Sequence, residues 1–239
     1  MRMKRVLLAT TALASMAGAP QAQADGFYVS VFGGANFVQD SSGGFEFATE
    51  TAFLSEHDFL DADTGFALGA AVGVRLDNWL NGLRTEFEVS YRRSGLGGTW
   101  DLAFDFPFLE SPIATSGTID GNLSTFAIIA NVAYDIDVDW KVKPYVIAGA
   151  GWARSKLDGV LIPINDSELP PIGVDSEGNG FAWQLGVGLN YEVAPGVDVG
   201  LGYRYFKGPS TSIFSGKFPT NDSDNRNNSV MATLTIETN

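Results

Sequence analysis

Residues 65–76 read GFALGAAVGVRL. Phe66, Leu68, Ala70, Val72, Val74 and Leu76 are apolar and occupy every second position, with Ala67, Gly69, Ala71, Gly73 and Arg75 between them. Successive side chains of a strand point to opposite faces. The stretch therefore predicts a strand with one continuous apolar face and one small or polar face. Residues 181–193 repeat the pattern. Phe181, Trp183, Leu185, Val187, Leu189, Tyr191 and Val193 oppose Ala182, Gln184, Gly186, Gly188, Asn190 and Glu192. Residues 83–92, 197–206 and 229–238 alternate in the same way, and 26–37 and 124–135 less cleanly. In 144–154 both faces are apolar or glycine, so its facing is undetermined. The total is eight strands of roughly 10–12 residues.

The connections alternate in length. Residues 77–82, 136–142 and 194–196 are short and carry turn residues such as Asp77-Asn78 and Pro195-Gly196. Residues 38–64, 93–116, 155–179 and 207–228 are long and rich in Gly, Ser, Asp and Pro. Unstructured loops of that length are uncommon in compact soluble domains, but short turns on one side and long loops on the other are usual in transmembrane barrels. A strand tilted by about 45° crosses the hydrocarbon layer in roughly 9–11 residues. Backbone groups in lipid must be paired, so such a sheet must close. The expected fold is all-β, an eight-stranded antiparallel transmembrane up-and-down β-barrel with short periplasmic turns and four long extracellular loops. A soluble ligand-holding barrel would turn the polar face to water and crowd it with Lys and Glu. Here that face is mostly Gly, Ala and Ser with a few Arg and Glu. Aromatics near the strand ends, among them Phe27, Tyr134 and Tyr191 at the short turns and Phe37, Trp152 and Phe181 at the long loops, suit two interfacial girdles.

Residues 1–24 carry a basic start (Arg2, Lys4, Arg5), an apolar run from Val6 to Ala19 and the A-x-A site Ala22-Gln23-Ala24. This is the pattern of a cleaved signal peptide. A mature chain of 25–239 as one barrel domain is expected, and loss of three bases would move the net charge from −13 to −16.

Composition excludes several functions. The chain of 239 residues has no cysteine and one histidine, His57. Disulfide scaffolds, thiolate zinc sites and multi-histidine metal sites are therefore ruled out. A pI near 4.3 makes nucleic acid an unsuitable partner. His57 lies beside Asp58 and near Ser55 in an acidic loop, which does not supply the fixed geometry of nucleophilic catalysis. No catalytic residue, metal site or cofactor is expected. Loop one, 39–63, holds Asp40, Glu46, Glu50, Glu56, Asp58, Asp61 and Asp63 and no Lys or Arg. It reads as a solvated loop; the alternative is a weak divalent-cation site bridging to lipopolysaccharide phosphates.

Charges on the polar face are the candidate site residues. Arg75, Arg84, Glu86, Glu88, Arg92, Asp135, Glu192, Asp198, Arg204 and Glu237 all project inward in the barrel reading. An unpaired buried charge costs several kcal/mol, so an interior ion-pair network is expected. The alternative is a narrow gated ion path through a rearranging network.

Three segments carry a family resemblance: Leu83-Arg84-Thr85-Glu86-Phe87-Glu88, Pro144-Tyr145-Val146-Ile147-Ala148-Gly149-Ala150-Gly151 and Gly200-Leu201-Gly202-Tyr203-Arg204-Tyr205. In order and spacing the chain resembles the small outer-membrane β-barrel proteins of Gram-negative bacteria, the group containing the OmpA membrane domain, OmpX and the Opa-type surface proteins. The family usually ends on an aromatic residue, whereas this sequence ends Ile236-Glu237-Thr238-Asn239. The resemblance implies a non-enzymatic surface protein of the cell outer membrane that supports envelope integrity. The partners it implies are outer-membrane lipid and lipopolysaccharide, the assembly machinery and periplasmic chaperones, and extracellular ligands at the loops. A monomer is expected. A lipid A-modifying barrel enzyme is the less favoured alternative.

Overall fold

The computed structural model describes residues 26–39, 47–49, 52–54, 61–62, 64–104, 113–162, 172–212, 222–223 and 225–238. The expected signal segment 1–24 lies outside them, as do Ser55, His57, Asp58 and most of the acids of loop one. Eight long strands form the body: β1 (Phe27–Val38), β2 (Gly65–Arg75), β3 (Leu83–Phe104), β4 (Ile113–Asp135), β5 (Val142–Ile162), β6 (Ile172–Ala194), β7 (Val197–Lys207) and β8 (Arg226–Thr238). Each pairs antiparallel with its chain neighbour, and β1 pairs with β8, so the sheet closes on itself.

Register fixes the shape. Partners lead from Phe27 to Val74, Thr85, Val132, Ala148, Leu185, Tyr205 and Asn228, and then to Phe37. One circuit thus returns to β1 ten residues higher, from 27 to 37. Such a stagger requires the strands to tilt by roughly 35–45°.

The alternation appears as burial. In β2, Ala67 and Ala71 are buried, while Phe66, Leu68 and Val72 are exposed. Around the barrel Phe87, Val132, Val146, Leu185, Val187, Leu201, Val230 and Ile236 all project outward. An apolar band on this scale fits a lipid surface and not water. The previously undetermined stretch resolves the same way. Tyr145, Ile147 and Ala153 face inward, and Val146 and Trp152 outward. Both faces read as apolar because the barrel wall seats a large ring inside as well as a lipid-facing row.

Two expectations are corrected. Strands β3 to β6 run 21–23 residues rather than 10–12. Residues 93–116 and 155–179 are therefore largely strand, with β3 and β4 paired from Leu83↔Tyr134 to Phe104↔Ile113. The hydrogen-bonded hairpin therefore continues beyond the stretch whose sequence alternates. Part of loop one is also ordered as strand. Ala52–Leu54 and Asp61–Ala62 pair with the upper part of β3, which β2 is too short to reach. They cover an edge that would otherwise expose unpaired backbone groups.

Candidate functional site

The barrel interior is a ladder of alternating charges. At the short-turn end Arg75 reaches Glu237 (Nε–Oε1 2.7 Å), Asp135 (Nη1–Oδ2 2.9 Å) and Asp198 (Nη2–Oδ2 3.7 Å). Asp135 also accepts from Arg84 Nε at 3.2 Å. Arg84 Nη1 donates to Glu86 Oε2 and to the Tyr28 hydroxyl, each at 3.2 Å. The Tyr28 hydroxyl donates to the same Glu86 oxygen at 3.0 Å. Asn131 then bridges Glu86 and Glu88, donating to both at 3.1 and 3.0 Å. Arg204 pairs directly with Glu88 and lies 3.9 Å from Glu86. Gln184 donates to Glu88 at 2.8 Å and accepts from Arg92 at 3.3 Å. The ladder ends where the Arg92 guanidinium stacks 4.0 Å above the Phe206 ring.

The strand pattern explains why these residues meet. Glu86, Glu88 and Arg92 occupy even positions of β3, the inward parity, and Arg204 and Phe206 occupy the inward parity of β7. Closure brings the two strands to face each other across a narrow lumen. Charges this deeply buried require partners. Glu88 is fully buried and has Arg204, Gln184 and Asn131 around it.

Sequence reading finds most of this set. Arg75, Arg84, Glu86, Glu88, Arg92, Asp135, Asp198, Arg204 and Glu237 are all brought into one chain of contacts. Glu192 is not: it lines the short-turn cavity and makes no ion pair among the described residues. The residues missed as network members are Tyr28, Asn131, Gln184 and Phe206. Their inward parity was available; their bridging roles depend on which strands face each other across the lumen.

Large rings fit inside only where the opposing wall is bare. A Cβ built at Gly188 would sit 2.5 Å from the Tyr145 ring. Tyr145 in turn lies under the Arg84 guanidinium, 5.2 Å from it. Above Phe206 the lattice becomes neutral. Asn225 donates to Thr125 and Ser155 at 3.0 and 2.7 Å, and Asn36 donates to Asn227 and Ser94 at 2.9 and 3.1 Å.

Free space in the lumen is divided. A cavity of about 300 Å³ opens at the short-turn end, lined by Arg75, Asp135, Lys143, Glu192, Asp198 and Glu237 among others. A pocket of about 20 Å³ beside Ser30, Phe32 and Glu86 has room for about one water. Between this pocket and the neutral lattice lie Arg204, paired with Glu88, and Arg92, stacked on Phe206, all four buried. Among the described residues no group of three or more His, Cys, Asp and Glu is placed to hold a metal ion.

Comparison with known proteins places this geometry. The sequence pattern of a family described as outer membrane protein beta-barrel domain matches residues 6–235. An outer membrane protein of Gluconacetobacter diazotrophicus is 30% identical over 214 residues, covering 85% of this chain and 52% of that protein. The chain thus spans about half the length of that relative. An uncharacterized protein of Brucella abortus is 25% identical over 208 residues, covering 79% of this chain and 70% of its own. Among solved structures, the crystal structure of the outer membrane protein OprG from Pseudomonas aeruginosa aligns with a TM-score of 0.42 at 12% identity. The alignment covers 89% of this chain and 97% of that one.

Proposed function

This chain belongs to the outer membrane protein β-barrel domain family, and from that premise we propose that it is a sealed, non-enzymatic surface barrel that supports envelope integrity. Its place is the outer membrane, with the short turns in the periplasm and the long hairpins outside. The hairpins offer the surface for extracellular ligands, and delivery to the membrane falls to periplasmic chaperones and the assembly machinery. The observation that carries the reading is the occupied lumen. Every rung from Arg75 to Arg92 is tied to the next, and Phe206 closes the stack.

A narrow gated channel is the second reading. The acid-rich mouth, with Asp135, Glu192, Asp198 and Glu237, favours it as a cation funnel. To conduct, the Glu88–Arg204 pair and the Arg92–Phe206 stack would have to open together. Planar-bilayer recording of the purified protein separates the two. The sealed reading expects no stepwise current. Steps whose size changes in Glu88→Gln would overturn it and favour the gate. A deletion strain should in addition become sensitive to detergent; unchanged sensitivity would remove the envelope role.

A further inference from the structure

The barrel covers one free sheet edge and leaves another bare. Residues 52–54 and 61–62 pair with the upper part of β3, on the side that β2 does not reach. On the other side of the same hairpin, β4 and β5 pair only as far up as Asn122↔Asp158. Above that point Ile113 to Gly121 pair with β3 alone among the described residues. The lower end of β4 shows which backbone groups are left over. The Asp135 N–H donates toward β3, to the Gly82 carbonyl, and the Ile136 N–H donates toward β5, to the Pro144 carbonyl. Both registers run unbroken along β4, and backbone groups alternate sides along a strand. Even positions therefore face β5. At Ala114, Ser116, Thr118 and Asp120 the N–H and C=O turn to the open side, with no strand beside them among the described residues.

An exposed edge usually carries a device that keeps other strands away, such as Lys, Pro or a bulge. Residues 113–121 read IATSGTIDG and contain no Lys, Arg or Pro. Thr and Ile favour an extended chain, and the single charge is Asp120. The stretch also matches itself. Laid antiparallel to its own copy about Gly117, it sets Ser116 opposite Thr118 and Ala114 opposite Asp120. In each of these pairs both residues turn N–H and C=O to the partner, as an antiparallel ladder requires. Gly117 falls opposite Gly117, where the two backbones come closest, and Asp120 does not face Asp120. The operator is a two-fold axis normal to the sheet, so both copies use the same patch and the contact closes. The wall of a barrel stands upright in its bilayer, which puts that axis in the membrane plane. Such an axis cannot relate two copies in one membrane, because it would turn one of them over. It relates copies in two membranes that face each other.

We propose that Ile113–Gly121 is a self-pairing strand edge, through which this chain on one cell binds a second copy on an apposed cell by β-augmentation. Its premise is the outer-membrane placement above, with the long hairpins outside, and it names the partner as the same chain. One contact is a short run of backbone hydrogen bonds, so a single pair is weak and adhesion comes from many pairs across one gap. Charge opposes the contact, since each chain carries a formal −13, and salt screens that repulsion. The chain therefore stays monomeric in its own membrane and joins two membranes only when ions are present.

The test places the purified barrel in lipid vesicles, hairpins outside by protease accessibility, and follows vesicle clustering by light scattering. Wild-type vesicles should cluster at about 0.15 M salt and disperse at about 0.01 M. S116P/T118P removes two N–H groups from the open edge and none from the β3 side, so the barrel should keep its heat-modifiable mobility. Clustering should fall by at least about tenfold. A synthetic peptide of residues 113–121 should disperse wild-type clusters, and the same peptide methylated on its Ser116 and Thr118 nitrogens should not. That pair of peptides keeps the test valid if the proline variant folds poorly. Wild-type vesicles that stay dispersed at every salt concentration, undiminished clustering in the proline variant, or equal action of the two peptides would overturn the edge. Clustering of protein-bearing vesicles with empty ones would overturn it too, leaving a lipid contact. Absence of the chain from the outer-membrane fraction of cells would overturn the placement without touching the vesicle result.

Discussion

Arg92 and Arg93 are adjacent in the chain and identical in chemistry, yet they serve opposite sides of one wall. Arg92 is 2% exposed, stacked on Phe206 and bonded to Gln184 and Ser90. Arg93 is exposed on the outer surface beside Ser124 of β4. Period two separates them, and closure of the sheet decides what each meets. An inward cation enters a lumen where every charge must be matched by a near neighbour, so its energetics are those of a buried ion network. An outward cation in the middle of the band would be costly, but at the border it reaches water and headgroups. The same residue type therefore supports stability in one case and interaction in the other.

The largest effect should come from breaking the inner side at its centre. Glu88→Ala leaves Arg204 without its paired carboxylate and Gln184 without its acceptor, and should cost about 3–5 kcal/mol. Urea titration of the barrel in lipid vesicles measures this, and a midpoint within error of wild type would break the comparison. Glu86→Ala removes the anion between Arg84 and Arg204 and should lower the melting temperature in detergent. A smaller loss is expected than at Glu88, because Asp135 still holds Arg84. Packing sharpens the contrast next. Gly188→Ala brings a methyl against the Tyr145 ring and should cost roughly 1–3 kcal/mol. An alanine at Gly97, whose added Cβ would meet nothing within 4 Å, should be tolerated.

The smallest effect lies outside the band. Hydrogen bonds from Lys156 and Arg154 hold the Glu177 carboxyl at about 2, against an ordinary value of about 4.3. A depressed acid stabilises the folded hairpin above its unfolded value, and this support is lost as pH falls toward 2. Hydrogen exchange of the β5–β6 hairpin amides should therefore speed up, relative to the core strands, between pH 5 and pH 2.5. Glu177→Gln should abolish that difference. A hairpin with the same relative protection at both pH values would show that the triad contributes nothing.

Much of the barrel was legible because the bilayer imposes a strict rule on its strands. In 65–76 and 181–193 one face must be apolar and the other must fit a narrow lumen, and the residues state it. The rule lapses where its cause does. Residues 93–104 and 113–123 stand above the band, carry no alternation, and still pair to the end. Segment 144–154 defied reading because Tyr145 and Ile147 fill the lumen with apolar bulk, supported by bare glycines opposite. The site was legible in its charges but not in its connections. Arg84 and Glu86 share a strand face, whereas the contacts of Gln184 with Glu88 and of Arg204 with Glu88 cross the lumen. Glu192 followed the same parity rule and still missed the network, since it sits at the mouth where solvent replaces a partner.

The most direct measurement is the unfolding free energy of Arg92→Gln beside that of Arg93→Gln, in the same lipid and by the same titration. Arg92→Gln should lose about 2–4 kcal/mol through the unpartnered Gln184 side-chain oxygen and the emptied space over Phe206. Arg93→Gln should stay within about 0.5 kcal/mol of wild type. Equal losses in the two variants, or a larger loss at Arg93, would contradict the assignment of one arginine to the lumen and the other to the membrane border.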